Sequence, residues 1–289
     1  MADNMRDIKR RIKSSTSMEH ITKAMKLVSA AKLRKAKNTF DRIQDNFHFV
    51  TEAIEEIFQH VEDVPDRYLI ENREIKRTAY IIITSNRGFC GSFNSNVIKE
   101  AQALMDQHTD KPAVIAIGSK GRDYFEKRGY DIVAQYMLPP ESISFLDTRN
   151  IITRPIIDMY DRGEIDEIIL VHTLFVSPLV QKSTSTTLLP LQVCNKQGGP
   201  VPITKQVEYE PGVETVFNYL VPKYAELMVY NALVESATCE HAARRMAMES
   251  ATDNANEMIT DLTLTYNRAR QAAITREISE IVGGAEALA

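Results

Sequence analysis

The chain of 289 residues has no tryptophan, three cysteines and two long stretches without a single glycine or proline. Cys90, Cys194 and Cys239 stand far apart without metal-ligand spacing, which argues against a disulfide-stapled scaffold or zinc site and predicts free thiols in a reducing compartment. No stretch approaches 18 consecutive apolar residues, and apolar runs such as Tyr80-Ile81-Ile82-Ile83 are short. A bilayer span is therefore not expected, and membrane association would come only through a partner. The first 20 residues hold five cations but no apolar signal core, and Asp3 and Asp7 count against a transit peptide, so the mature chain is expected to begin here. Hydrophobic residues at 44% and charged residues at 26% are ordinary globular usage.

The breakers are distributed unevenly. All 11 prolines lie between Pro65 and Pro222, and nine of 11 glycines between Gly88 and Gly212. Residues 1–64 and 223–282 read as long helices. Ala36, Phe40, Ile43, Phe47, Val50, Ile54, Ile57 and Val61 step by alternating fours and threes, a heptad seam that needs a partner helix. A smaller-residue seam, Met248, Ala251, Ala255, Met258, Leu262, Thr265, Ala269 and Ala272, is the expected partner. At ~1.5 Å per residue, helices of about 55 and 70 residues exceed any compact domain. An antiparallel coiled coil with a globular head at its turn-around follows, divided as 1–64, 65–211 and 212–289. The longer second helix should project, leaving an apolar tip from Ile274 to Ala289 for another protein's socket.

The middle alternates strand and helix: strands at Thr78–Thr84, Ala113–Ile117, Asp131–Gln135 and Glu167–Thr173, helices at Asn94–Gln107, Gly121–Lys127 and around Asn150–Tyr160, then Thr-rich alternation from Val180 to Leu191. This predicts an α/β, Rossmann-like head with a mostly parallel sheet. The loop Thr84-Ser85-Asn86-Arg87-Gly88-Phe89-Cys90-Gly91-Ser92 has neither G-x-G-x-x-G nor phosphate-loop spacing, and Gly118-Ser119-Lys120-Gly121 likewise lacks it. These read as tight turns, not nucleotide sites. The histidines at 20, 48, 60, 108, 172 and 241 form no H-E-x-x-H pair, and there is no G-x-S-x-G elbow. No catalytic residue, cofactor or metal site is expected.

Charge is also uneven. Residues 1–42 carry 12 Lys or Arg against four acids, whereas residues 43–64 carry six acids and no cation. Lys23, Lys26, Lys32, Arg34, Lys35 and Lys37 form a basic collar around Met25, Leu27, Val28 and Leu33. The chain as a whole is acidic, with net charge −4, so an acidic protein surface fits this collar better than nucleic acid does.

Six segments carry a family resemblance: Ile21 to Ala36, Arg87-Gly88-Phe89-Cys90-Gly91, Ile117 to Gly121, Tyr209-Glu210-Pro211, Met246 to Asn254, and Tyr266 to Thr275. In this order they resemble the gamma subunits of bacterial F-type ATP synthases. The resemblance implies a non-catalytic central-stalk rotor, ATP chemistry belonging to the β subunits. Its partners would be the ring of α and β subunits, ε and the membrane c-ring, with no nucleic acid. It would be a peripheral protein on the cytoplasmic side of the cell membrane. Carried over by position, Lys23, Met25 and Lys26 would meet a β lever loop, Arg270, Gln271 and Thr275 an upper β loop, and Arg87 the underside of the ring. Tyr209 and Glu210 would form the foot on the c-ring, and Ile274, Ile278 and Ile281 the bearing tip. The chain departs from the family pattern at Phe89, where leucine is usual, and at Ser92, where glycine is usual. The alternatives from residues alone are a coiled-coil scaffold with an α/β head and an α/β enzyme with helical arms.

Overall fold

The computed structural model describes residues 2–60, 75–107, 112–137, 144–191, 210 and 212–286. Helix α1 (Ala2–His60) opens the chain and α6 (Val213–Glu286) ends it. Between them run β1 (Thr78–Ile83), α2 (Phe93–Met105), β2 (Ala113–Ile117), α3 (Ser119–Glu126), β3 (Asp131–Tyr136), α4 (Phe145–Asp147), a π-helical turn (Thr148–Thr153), α5 (Arg154–Asp161), β4 (Glu167–Phe175) and β5 (Gln181–Leu189). The chain divides into two compact units: Met1–Ala30 with Arg244–Ala289, and Ala31–Ala243.

The unit formed by Ala31–Ala243 holds a five-stranded sheet in the order β3-β2-β1-β4-β5, parallel except for the antiparallel edge strand β5. The alternation along β1 explains why the sheet needs layers on both faces. Ala79, Ile81 and Ile83 enter one core with Ile115, Leu170, Phe217, Val221 and Val229, while Tyr80 and Ile82 enter another with Val97, Ala101, Val114 and Phe125. Each fully buried branched side chain contributes about 1.5–3 kcal/mol, so these two cores dominate the stability of this unit. Helix α6 crosses the first core and is buried on every side from Asn231 to Ala242. The π turn has a local cause. Pro155 sits at the start of α5 and has no N–H to return to the preceding turn, so the ladder there re-forms with a wider ring.

In the other unit α1 and α6 pair antiparallel. Ser15 Oγ approaches Met258 Sδ at 3.4 Å, the Thr22 and Thr252 hydroxyls meet at 2.8 Å, and Lys26 Nζ lies 2.7 Å from a Glu249 carboxylate oxygen. On α1 the seam of this unit runs through Met5, Ile8, Ile12, Ser15, Glu19, Thr22, Lys26 and Ser29, with Thr16, Met25 and Ala30 half-buried at its flanks, and it keeps the heptad rhythm read from Ala36 onward. On α6 the seam runs through Met248, Thr252, Ala255, Ile259, Leu262, Tyr266, Ala269 and Ala273. Four of these differ by one residue from the expected stripe: Thr252, Ile259, Tyr266 and Ala273 replace Ala251, Met258, Thr265 and Ala272. Both stripes keep a heptad spacing and both are small or apolar, so period alone could not choose between them.

Candidate functional site: the helix pair and the carboxyl edge of the sheet

The unusual feature of α1 is that its polarity runs the wrong way around. Five consecutive seam positions, Ser15, Glu19, Thr22, Lys26 and Ser29, are polar, with Thr22 5% and Ser29 3% exposed. Meanwhile Met18, Ile21, Leu27 and Val28 face outward at 55–65% exposure. A helix stabilised only by its own partner would place these sets the other way. Lys23 is exposed and lies 3.6 Å from Glu19, and Met25 is half-buried beside it. Lys26 is already engaged by Glu249, whose carboxyl it holds below its ordinary value through a hydrogen bond and charge. Of the three expected collar contacts, Lys23 therefore presents itself more openly than the half-buried Met25 and Lys26.

Further along α6, Arg270, Gln271 and Thr275 are all exposed. The antiparallel register brings the start of α1 opposite the turns just before Ile274, and exposure is continuous from there to Gly283. Ile274, Ile278 and Ile281 lie one helical turn apart and are 47%, 57% and 71% exposed, with Val282 beside them at 52%. This is an apolar stripe with no helix of the chain along it among the described residues.

The carboxyl edge of the sheet is built differently. Strands β1 and β4 are the neighbours at which the winding reverses, and α/β folds of this order commonly hold ligands outside the strand ends at that point. Here the chain's own groups fill the hydrogen-bonding positions. Asn86 Oδ1 accepts the Ser119 N–H at 3.1 Å, and Thr84 Oγ1 accepts the Gly121 N–H at 2.9 Å, so the first turn of α3 already has acceptors where a phosphate would bind. Gly118 makes this closure possible. It has φ of +96°, and a Cβ there would stand 2.1 Å from the Thr84 carbonyl oxygen. On the β1 side, Asn94 Oδ1 accepts the Ser85 N–H at 2.9 Å and Asn94 Nδ2 lies 3.1 Å from Cys90 Sγ, with Cys90 packed against Phe93, Cys239 and Phe175.

The turn carrying Arg87 projects from this network. Arg87 is exposed, and the Ser85 hydroxyl donates to its carbonyl at 2.6 Å. Phe89 follows with φ of +60° and 73% exposure. A left-handed phenylalanine costs roughly 1–2 kcal/mol, so the turn holds a large aromatic ring in water against local preference. Glu210 is exposed, and Tyr209 and Cys194 lie outside the described residues.

Several charged residues passed over by sequence reasoning prove to be structural. Glu235 of α6 accepts the Phe175 N–H at 2.9 Å and lies 3.5 Å from His172 Nε2, tying α6 to the end of β4. Glu226 binds Arg149 of the π turn and Lys223, each at 3.0 Å. Burial, with the Glu235 charge next, raises the Cys239 thiol far above its ordinary value, which makes it a packing group. The available signal was faint: Glu226 and Glu235 sit in a breaker-free stretch that is apolar on every face, where a lone acid must find a partner.

Comparison with known proteins agrees with this architecture. A family model described as "ATP synthase" matches residues 4–288. The ATP synthase gamma chain of Alkaliphilus metalliredigens is 47% identical over the whole of both chains. The gamma chain of Acetobacterium woodii described as sodium ion specific is 42% identical, again over all of both chains. Among solved structures, the chain is similar to one from the rotor of Euglena gracilis mitochondrial ATP synthase in rotational state 1, with TM-score 0.68 and 20% identity, covering 95% of this chain and 100% of that one. A second Euglena gracilis structure, of OSCP/F1/c-ring in rotational state 3, gives TM-score 0.69 at 21% identity, covering 100% of this chain and 95% of that one. At these identities the likeness establishes the fold.

Proposed function

Because the chain belongs to the ATP synthase gamma-chain family and is therefore a central-stalk subunit, we propose that it works as a non-catalytic rotor through the outward face of its helix pair. The carrying observation is the reversed polarity of α1, with Met18, Ile21, Leu27 and Val28 turned outward beside Lys23 and Met25. That face suits a partner surface with apolar and acidic groups, which in this reading is the lever loop of a β subunit. Arg270, Gln271 and Thr275 would meet a second β loop, and Ile274, Ile278 and Ile281 would enter an apolar bearing formed by the ring of α and β subunits. Arg87 and Phe89 would face the underside of that ring, while Tyr209 and Glu210 would stand on the c-ring beside ε. Residues 1–64, 65–211 and 212–289 would then be shaft, head and shaft.

The physical mechanism needs no reactive group. A single off-centre rod inside a ring of repeated sites presents a different face to each, so each site has different contacts and a different affinity. Turning the rod exchanges those affinities in sequence. Exposed ion pairs such as those available to Lys23 are worth only ~0–1 kcal/mol each, weak enough to be made and broken on every turn. No helix among the described residues is long and apolar enough to cross a membrane, so attachment to the cytoplasmic side of the cell membrane would run through the c-ring.

Purification of a tagged chain tests this reading. The rotor should be recovered in a large complex that hydrolyses ATP; recovery in a complex without ATPase activity would support a scaffold, and turnover by the chain alone an enzyme. Met25→Lys should lower ATP synthesis relative to hydrolysis while assembly persists, and unchanged coupling would remove the collar from the mechanism.

A further inference from the structure

The inward side of the same helix pair carries a second consequence, independent of any partner. From Ser15 to Ser29 the α1 half of the interface has no Ile, Leu or Val at a seam position, Met25 being half-buried at its flank, and the links to α6 at this level include the Ser15–Met258 contact, the Thr22–Thr252 contact and the Lys26–Glu249 ion pair. None is a strong clasp. The Thr252 hydroxyl shares its proton between Thr22 Oγ1 and the Met248 carbonyl, 2.8 and 2.7 Å away, and Thr22 lies 3.1 Å from the Glu19 carbonyl, so both hydroxyls would be satisfied within their own helices after separation. Glu19 likewise has local partners in Lys23 and His20. Lys26 and Glu249 are each more than a third exposed, so water can replace the pair. Nearer the start of α1 the seam turns apolar again with Met5, Ile8 and Ile12, opposite a stretch of α6 that includes Ile259, Leu262, Tyr266 and Ala269.

We propose that Ser15–Ser29 with Met248–Met258 is an internal opening segment, where the two helices part and re-close while the apolar seam nearer the start of α1 stays shut. Separation here leaves the Thr22 and Thr252 hydroxyls with partners in their own helices and uncovers Met25, Met248, Ala251 and Ala255 but no branched aliphatic side chain, whereas separation at Met5–Ile12 uncovers Ile8, Ile12, Ile259 and Leu262. The segment lets the helix pair change its local twist without unpairing at its end.

Ordinary fraying makes the opposite prediction, because protection then rises steadily from a free helix end inward. Hydrogen exchange followed by mass spectrometry on the full-length chain distinguishes the two. Peptides within Ser15–Ser29 and Met248–Met258 should exchange about tenfold faster than peptides within Met5–Ile12 and Ile259–Ala269, although they lie farther from the start of α1. The double substitution Thr22→Leu with Thr252→Leu should slow the fast peptides by about tenfold and leave β1 and β2 unchanged. Should that variant misfold, Lys26→Leu alone should slow the same peptides by a smaller factor. Protection that rises steadily from Met5 toward Ser29 in the unsubstituted chain would overturn the proposal, as would no slowing in a folded seam variant.

Discussion

The sheet unit and the helix pair are stabilised by opposite strategies. In the sheet unit, strands such as β1 and β2 are largely apolar on both faces and fully buried, and the interior carboxylates Glu226 and Glu235 are paired with Arg149 and His172. In the helix pair the interface is thin, half polar on one side, and much of the apolar surface points outward. The difference teaches where each unit's stability resides: the sheet unit is complete by its own contacts, whereas the helix pair withholds hydrophobic surface from its own seam. A central-stalk subunit needs both properties, a body that holds its form under load and a surface whose apolar groups remain available to neighbours.

The largest way to break this contrast is to attack the sheet unit's self-sufficiency. Ile115→Ala removes a fully buried side chain from the middle of β2 and should cost about 2–5 kcal/mol in chemical denaturation, without changing exchange in the helix pair. Gly118→Ala should cost at least about 2 kcal/mol, since the new methyl group meets the Thr84 carbonyl in a backbone conformation that alanine resists. Glu226→Ala leaves Arg149 and Lys223 without their shared carboxylate. Both cations keep 27% of their side-chain surface in contact with solvent, so the loss should be about 1–3 kcal/mol. A calorimetric midpoint unchanged by Glu226→Ala would mean that the π turn does not depend on this cluster.

A paired substitution sharpens the contrast inside α1 itself. Ile8→Ser and Ile21→Ser delete the same surface from opposite faces of one helix, 7% and 56% exposed. The free chain should tolerate Ile21→Ser within about 0.5 kcal/mol, while Ile8→Ser should cost more than 1 kcal/mol. In the assembled complex the order should reverse, with Ile21→Ser producing the larger loss of coupled ATP synthesis.

The same inside-out polarity marks the boundary of what sequence reasoning could reach. The breaker-free ends, the strand–helix alternation and the seam at Ala36, Phe40, Ile43, Phe47 and Ile54 were legible because apolar residues there sit where an ordinary helix or strand buries them; at Val50 the seam misses by one residue, Thr51 being buried and Val50 exposed, and the side chains of Ile57 and Val61 lie outside the described residues. Ser15, Glu19, Thr22, Lys26 and Ser29 were not, because a hydrophobicity pattern assigns such residues to water and reads Met18, Ile21 and Val28 as the inner stripe. The phase of the α6 seam was ambiguous for a different reason, two neighbouring stripes of equal size and polarity. Glu226, Glu235 and His172 escaped notice because their partners lie on elements far apart in the chain, and only the fold brings them together.

The smallest expected effect bears most directly on the helix pair, through Glu249. Lys26 holds its carboxyl below the ordinary value of 4.5, first by hydrogen bonding and then by charge, with Arg245 adding to the effect. A carboxyl lowered in the folded state contributes stability that is fully present above its unfolded value and is lost as pH falls through the folded one. Exchange in Ser15–Ser29 should therefore be indifferent to Glu249 protonation at neutral pH, then gain an extra acceleration as pH falls through and below the ordinary carboxyl range, beyond the intrinsic pH dependence of amide exchange. Glu249→Gln should abolish that added acid sensitivity and leave a modest, constant acceleration, because the amide can still accept a hydrogen bond but carries no charge. High salt should shrink the difference between the two chains, as screening requires of an exposed pair. Identical pH profiles for the two chains at low salt would show that the ion pair does not help close this segment, leaving the Thr22–Thr252 contact as its main polar link.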